Sequence, residues 1–467
     1  MLALLRHSFR RLVFILVEDL LLFGAVLLAV GITLWATTGG TESVQARMAR
    51  DNLLPKSVFL ALVCQLCLYY NDLYDFRLIR AGRDLLWRLL QSLGATSILV
   101  AILYFLFPRL IIGKGVSLVA LLLAAALLLA WRLLYDRMLR LDGFHERVLV
   151  LGTGPNARAV AAEVLAQPVL GFRLVGYVAD EPVPGPPKAG HPPVLGREAS
   201  LLEVVRRERV QRVVVALSEA RGRLPVEALL ACRMAGVTVE EGTSFYERVS
   251  GKILLENLKP SWLIFSDGFR TSILARVITR LSSVAISVLG LTLTAPLLLV
   301  VAALIRLDSP GPIFLTQERV GQGGKVFALY KFRSMRADAE ANGRPVWAEE
   351  NDRRITRVGR WLRKTRIDEI PQLWNVLRGD MSIVGPRPER PFFVEQLRKV
   401  IPYYDQRHTV KPGVTGWAQV RYPYGASVED AIEKLQYDLF YIKHVSVVLD
   451  LSILLETVKV ILVGRGR

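Results

Sequence analysis

The chain has 467 residues, 52% of them hydrophobic, and a formal net charge of +18. That pairing excludes an ordinary soluble basic protein, which would be less apolar, and a pure membrane channel, which would carry less charge. It fits apolar membrane segments joined to a basic body that meets anionic lipid or phosphorylated substrates. Nucleic acid is the competing anion, but the chain carries no zinc-finger spacing and no RNA-binding signature. Three cysteines exclude a disulfide scaffold: Cys64 and Cys67 form a C-x-x-C inside an apolar run and read as small core residues, and Cys232 stands alone.

Arg6, Arg10 and Arg11 precede an apolar run from Leu12 to Trp35, long enough to cross a bilayer. No convincing small-residue cleavage site ends it, so it reads as an anchor. Further runs cover Leu53–Tyr70, Leu85–Phe107 and Val116–Leu134, the second interrupted early by Pro55 and Lys56. Four crossings return the chain to its starting side. Cations cluster before the first run, after the second (Arg77, Arg80, Arg83) and after the fourth (Arg132, Arg137, Arg140, Arg147). Arg47, Arg50 and Lys56, offset by Glu42 and Asp51, and then Arg109 and Lys114, mark the other side. The bias predicts both ends in the cytoplasm. Glu18 and Asp19 fall inside the first run, and Asp72 and Asp75 lie near the second, where pairing with arginines or an interfacial position would tolerate them.

Arg147-Val-Leu-Val-Leu-Gly-Thr-Gly-Pro-Asn-Ala157 and the alanine-rich run after it predict strand, G-x-G-x-x-A turn and helix. Leu174–Val178, Val213–Leu217 and Val237–Glu240 predict further strands, with a Pro/Gly-rich loop over Pro182–Pro193. This alternation predicts a small parallel Rossmann-like domain. Asp180 lies late for a ribose-binding acid and Pro155 occupies the turn, which favours structural or regulatory use over dinucleotide redox.

Residues 246–272 read as a connector. Arg276 and Arg280 then introduce an apolar stretch, Leu281–Ile305. By length it could span, but a full crossing would export the cations Arg353, Arg354, Arg357, Arg360, Arg363, Lys364 and Arg366, which belong beside the anionic cytoplasmic face. Pro296 breaks the helical ladder, and Thr292 and Thr294 could bond the freed carbonyls. A helix–break–helix that enters one leaflet and returns satisfies these facts. The basic segment Arg353–Lys364 spaces Ile355, Val358 and Trp361 as one helical face, for either headgroups or the domain.

Asp368 and Glu369 are adjacent carboxylates between this cationic run and a Gly-Pro-Arg-Pro turn. Asp368 reads as an N-cap with Pro371 in the first helical turn. Such a helix start favours an anion. Two carboxylates at a phosphate site have a role if one holds a divalent metal or attacks phosphorus; the plain alternative is a capped helix with solvated acids.

The stretch Arg363-Lys-Thr-Arg-Ile-Asp-Glu-Ile-Pro-Gln-Leu373, with Gly379-Asp-Met-Ser-Ile-Val-Gly-Pro-Arg-Pro388, resembles the core of the bacterial sugar transferases, the monotopic phosphoglycosyl transferases. Three more blocks match in order: Gln317–Met335, Lys411-Pro-Gly-Val-Thr-Gly-Trp-Ala-Gln-Val420 and Tyr437-Asp-Leu-Phe-Tyr-Ile-Lys-His444. The resemblance implies a re-entrant helix with a proline at its break, though Ala295-Pro296 stands here where Ser-Pro is common. It implies Asp368 as nucleophile and Glu369 as catalytic partner and Mg²⁺ ligand. It implies Lys331, Arg333, Arg363 and Arg387 as the cations that hold substrate phosphates, with Asp438 supporting the site. Asp368 is expected to be charged at neutral pH. Lys411–Trp417 either lines the base or sugar pocket or packs its own loop.

The implied reaction transfers a hexose-1-phosphate, glucose or galactose foremost, from a UDP-sugar to undecaprenyl phosphate. UMP is released through a phosphosugar-aspartate, at the bacterial inner membrane and on its cytoplasmic face, as the first membrane step of exopolysaccharide or related glycan synthesis. Partners would be membrane lipid and downstream glycosyltransferases, and the apolar helices could pair as a homodimer. The expected architecture is membrane α plus α/β. A four-helix transmembrane bundle covers 1–143 and a Rossmann-like parallel-sheet domain 144–245. A mainly α catalytic domain with the re-entrant helix covers 273–467. The alternatives are a membrane-tethered NAD-dependent nucleotide-sugar dehydratase or epimerase, and a non-enzymatic sensor. The first needs a Tyr-x-x-x-Lys pair that the chain lacks; dense charged motifs after Gln317 disfavour the second.

Overall fold

The computed structural model describes residues 2–39, 52–74, 83–113, 115–140, 145–166, 171–180, 192–217, 224–255, 268–269, 273–336, 352, 354–423, 425 and 427–463. The loop cations Arg47, Arg50, Arg77, Arg80, Lys114 and Arg353, the acids Glu42, Asp51 and Asp75, most of the Pro/Gly-rich loop and residues 256–267 of the connector lie outside them. The chain divides into two compact units, Met1–Val249 and Ser250–Arg467.

In the first unit the four apolar runs form helices α1 (Leu2–Thr38), α2 (Leu53–Tyr70), α3 (Arg83–Leu106) and α4 (Val116–Arg140). Pro55 sits in the first turn of α2, where a missing N–H breaks no bond, so the helix starts intact. α1 packs on α4 and α2, and α2 on α3. Small buried residues, Ala25, Ala61 and Ala124, let backbones approach, while Leu16, Leu20, Leu62 and Leu118 point outward. Segments of all four helices, and the helix at Ile273–Asp308 in the second unit, are long and apolar enough to cross a membrane. Cys64 and Cys67 are buried free thiols.

Of the two acids of the first run, Glu18 is met by α4 and the end of α2, while one buried oxygen of Asp19 has no hydrogen-bond partner among the described residues. Glu18 is fully buried and takes both oxygens to Arg132, from Nε at 2.8 Å and Nη2 at 2.9 Å. Arg132 Nη1 also donates to the Leu73 carbonyl at 2.8 Å, and the Phe14 and Tyr74 rings flank its guanidinium. Asp72 pairs with Arg88 at 3.3 Å. Removing one member of a buried pair strands the other charge, so Arg132→Met is expected to destabilise this unit by about 3–5 kcal/mol. Adding Glu18→Leu should recover most of the loss, read as melting temperature in detergent.

Five parallel strands follow in the order β3-β2-β1-β4-β5: β1 (Glu146–Leu151), β2 (Phe172–Val178), β3 (Val194–Gly196), β4 (Arg212–Val215) and β5 (Thr238–Glu241). The helices α5 (Pro155–Ala166), α6 (Leu201–Arg207) and α7 (Val226–Met234) alternate with them. Continuous apolar runs are what strands covered on both faces require. β3 escapes sequence reading because it is three residues long. Asp180, the candidate ribose acid, accepts the Glu198 amide at 3.1 Å. Helix α8 (Gly242–Ser250) runs through the point where a connector is expected, and its Phe245 packs on Phe172, ring centroids 5.2 Å apart.

In the second unit α9 (Ile273–Asp308) is one continuous helix with Pro296 inside, not the expected helix–break–helix. A proline removes one ladder bond and bends a helix without ending it. Thr294 bonds the Gly290 carbonyl at 2.6 Å. Both halves of α9 meet the rest of the unit. Ser283 Oγ lies 3.2 Å from Ser382 Oγ, and a side chain at Gly290 would come within 2.9 Å of Leu373. Beyond Pro296, Leu298, Val301 and Ile305 join a cluster with Phe332 and Leu362. The hairpin β6 (Phe314–Val320) and β7 (Val326–Phe332) comes next, then α10 (Arg357–Thr365), α11 (Gln372–Arg378), β8 (Ser382–Val384) and α12 (Pro391–Val400). β9 (Gly413–Thr415) pairs parallel with β8, followed by α13 (Trp417–Arg421), α14 (Val428–Lys443) and α15 (Val447–Val463). Their core joins Leu329, Val376, Met381, Val394, Leu439 and Ile453.

The basic helix begins at Arg357, later than expected, because Ile355 bridges to Met335. Val358 and Leu362 face the domain, while Trp361 is 45% exposed.

Candidate active site

The site is assembled from three short pieces held by backbone contacts. β7 carries Lys331. Its strand edge is fixed by Asn375 of α11, fully buried, which accepts from the Tyr330 amide at 3.0 Å and donates to the Ala328 carbonyl at 2.7 Å. A neutral amide is suited to this, since it matches one donor and one acceptor without charge.

The second piece carries the acid pair. α10 ends on Arg366 in the left-handed region, φ 56°, and the chain turns into a single 3₁₀ turn, Ile367–Glu369. Asp368 therefore lies in that turn and is not the N-cap of α11; Pro371 holds the cap position. Its carboxyl is left free of capping duty, and the residue is 8% exposed.

The third piece is the turn Gly385-Pro-Arg-Pro388. It interlocks with the Lys411–Trp417 loop through glycines. A side chain at Gly385 would lie 2.4 Å from the Lys411 carbonyl, and one at Gly416 would lie 2.1 Å from the Gly385 carbonyl. The amides of Gly385 and Gly413 donate to Thr415 and Pro386 carbonyls, each at 2.9 Å. Trp417 is buried, donates to the Gly251 carbonyl at 2.8 Å and stacks on Phe440. The loop thus packs behind the Arg387 turn.

These pieces converge on Glu369. Lys331 Nζ lies 3.1 Å and Arg387 Nη2 2.7 Å from Glu369 Oε1. Arg387 Nη1 donates to Gln419 at 3.2 Å. Burial alone would raise Glu369, but the charges of Arg387 and Lys331 override it and hold its carboxyl far below the usual range. Burial lowers Lys331 against the pull of Glu369. Asp368 is pushed up to about 6 by burial and by the adjacent Glu369 charge, against Lys331, Arg363 and Arg387, which act on it through space. It is still mainly ionised at neutral pH. Adjacent carboxylates are thus driven apart: one neutralised by cations, one desolvated and more basic than usual. That is the condition of an activated oxygen nucleophile.

Two residues expected at the site, the phosphate cation Arg333 and the supporting acid Asp438, do not line it. Arg333 is buried at the end of α9, where its guanidinium donates to the carbonyls of Pro310 at 2.9 Å and Ser309 at 2.6 Å. A helix C-terminus presents orphan carbonyls, and Arg333 serves them instead of phosphate. Asp438 is 2% exposed and paired with Arg407 at 2.9 Å, behind the Arg387 turn. Sequence reasoning missed Asn375, Arg407 and Gln419. Gln419 stands inside a matched block and Asn375 between two of them, but nothing in residue type alone marks an amide as a scaffold.

Among the described residues no group of three or more His, Cys, Asp or Glu could hold a metal. Magnesium is commonly bound by one or two carboxylates completed by substrate phosphates and water, and the acid pair fits that partial shell.

A bacterial sugar transferase model matches residues 274–464, the part that holds the acid pair and its cations, and a CoA-binding domain model matches 70–239. A putative undecaprenyl-phosphate N-acetylgalactosaminyl 1-phosphate transferase of Bacillus subtilis is 53% identical over 130 residues, covering 28% of this chain and 72% of that protein. The chain belongs to the bacterial sugar transferase family. A UDP-glucose:undecaprenyl-phosphate glucose-1-phosphate transferase of Escherichia coli is 34% identical, over 68% of each chain. A UDP-N-acetylgalactosamine-undecaprenyl-phosphate N-acetylgalactosaminephosphotransferase of Aeromonas hydrophila is 41% identical over 51% of this chain, and the match spans 55% of its own length.

Proposed function

We propose that this bacterial sugar transferase moves a sugar-1-phosphate from a UDP-sugar to undecaprenyl phosphate. A carboxylate oxygen of Asp368 attacks the sugar-linked phosphorus; the bond from that phosphorus to the bridging oxygen breaks, and UMP leaves with the electron pair. An oxygen of undecaprenyl phosphate then attacks the same phosphorus, the bond to Asp368 breaks, and the carboxylate is restored. The observation that carries this reading is the split acid pair, Asp368 raised to about 6 beside a Glu369 that Lys331 and Arg387 neutralise. A covalent step lets one pocket serve a soluble and a lipid substrate in turn.

Lys331, Arg387 and Arg363 would hold the diphosphate and offset its charge. Magnesium, when bound through Glu369 and the donor's phosphates, would supply further charge neutralisation. The relatives are named for glucose and N-acetylgalactosamine donors, so the sugar would belong to the hexose and N-acetylhexosamine class.

The lipid substrate requires a membrane site. Helices α1–α4 would form the four-helix spanning bundle, and α9, unbroken at Pro296, would lie in one leaflet without crossing it. Two contacts oppose a full crossing. Gly290 abuts Leu373 before Pro296, and Leu298 joins the Phe332–Leu362 cluster after it. The seven residues between, 291–297, make roughly 10 Å of helix, far short of the ~30 Å hydrocarbon core. The cation bias of the loops supports a cytoplasmic site at the inner membrane. The product would feed downstream glycosyltransferases of exopolysaccharide or related glycan assembly, and the apolar helices could pair as a homodimer.

The test is a product assay on the full chain in detergent or vesicles with a panel of UDP-sugars and undecaprenyl phosphate. UMP release with a lipid-linked sugar diphosphate is expected. Release of UDP, or of neither nucleotide, overturns the reading.

A further inference from the structure

We propose that Asp438 and Arg407 are positioning residues that aim Arg387 by fixing its backbone carbonyl; this rests on the transferase reading above. Arg407 is buried within the 3₁₀ segment Tyr404–Thr409. Its guanidinium reaches three groups at once, one in its own segment and two beyond it. Nη1 donates to the Tyr404 hydroxyl at 2.6 Å, and Nη2 donates to the Arg387 carbonyl at 2.9 Å and lies 2.9 Å from Asp438 Oδ2 on α14. The other end of Arg387 bonds Glu369 and Gln419.

A continuous chain of polar contacts therefore runs from α14 to the acid pair: Asp438, Arg407, the Arg387 carbonyl, the Arg387 guanidinium, Glu369. Pro386 and Pro388 restrict φ on either side of Arg387. With the carbonyl also held, the residue has little freedom but its own side-chain rotors. The planar fork of an arginine can satisfy a carbonyl, a hydroxyl and a carboxylate together, and lysine cannot hold that geometry. Burying two charged groups behind a site is expensive for stability alone, since well-packed apolar residues often serve as well. A use in aiming the phosphate clamp accounts for the pair.

The distinction from a merely structural or substrate-touching role is a double-mutant cycle. Asp438→Asn, nearly isosteric, is expected to lower kcat/KM for the UDP-sugar about tenfold, chiefly through KM. In an Arg387→Ala background the same change should matter less than about twofold, because the residue it acts through is gone. Arg407→Lys should follow the same pattern, and it serves if Asp438→Asn does not fold. Equal losses in both backgrounds, or no loss in the first, overturn the proposal. If the wild-type chain releases no UMP, the transferase reading fails. The aiming claim is then read from the binding of UDP to the same four proteins, where equal weakening by Asp438→Asn in both backgrounds overturns it and weakening that requires the Arg387 side chain sustains it.

Discussion

Asp368→Asn should eliminate both UMP release and a labelled enzyme adduct, by at least about 10³-fold, while raising the melting temperature of the protein. The two effects have one cause. The residue is 8% exposed, its carboxyl lies beside the Glu369 charge, and the ionised form is disfavoured in the folded chain. Because the folded value, about 6, lies above the ordinary carboxylate value, the native state holds this proton more tightly than the unfolded chain. The resulting destabilisation is complete above about pH 6 and fades as pH falls toward the ordinary range. Asparagine, neutral at every pH, removes it. An inactive variant that is also less stable would mean damage to the fold, not loss of a nucleophile. In the wild-type enzyme the same titration sets the acid limb: adduct formation should climb with pH through about 6 and level off above it. A limb centred near the ordinary carboxylate value would place the reacting group in a solvated position and would oppose the assignment.

The long apolar helices, the parallel sheet and the acid pair were readable from the chain because each has a strong local signature. Apolar runs, strand–helix alternation and paired carboxylates in a matched block need no long-range knowledge. The failures share a different character. Arg333 and Arg387 are both arginines in matched blocks, and only the fold separates the one that caps α9 from the one that meets Glu369. Asp368 had the composition of an N-cap, but the left-handed turn at Arg366 moved the helix start three residues on, to Pro371. Pro296 suggested a break, but α9 continues through it. Arg407 carries no local pattern at all. Its partners, Arg387 and Asp438, are distant in sequence, so its role exists only in three dimensions.

Glu369→Gln is the second change with a large expected effect, and its signature differs from that of Asp368→Asn. Two cations, Lys331 and Arg387, share one Glu369 oxygen. Removing that charge leaves both in a buried site without their counter-ion, a loss of about 3–5 kcal/mol when a buried pair is broken. The nearest remaining acid is Asp368. Glu369 is the charge that holds Asp368 up, and Lys331, Arg363 and Arg387 are the charges that pull it down. With the first gone and the others uncompensated, Asp368 must titrate lower. The acid limb of UMP release should therefore move below about pH 6, while the plateau rate falls by about 10²–10³-fold. The fall has a physical source. A carboxylate drawn into ion pairs is a poorer nucleophile, and the cations it captures no longer face the diphosphate. Initial rates from about pH 5 to 8 decide the matter. A lower plateau with an unmoved limb would mean that Glu369 acts on the phosphate or its metal alone, and that the neighbouring carboxyls do not feel one another.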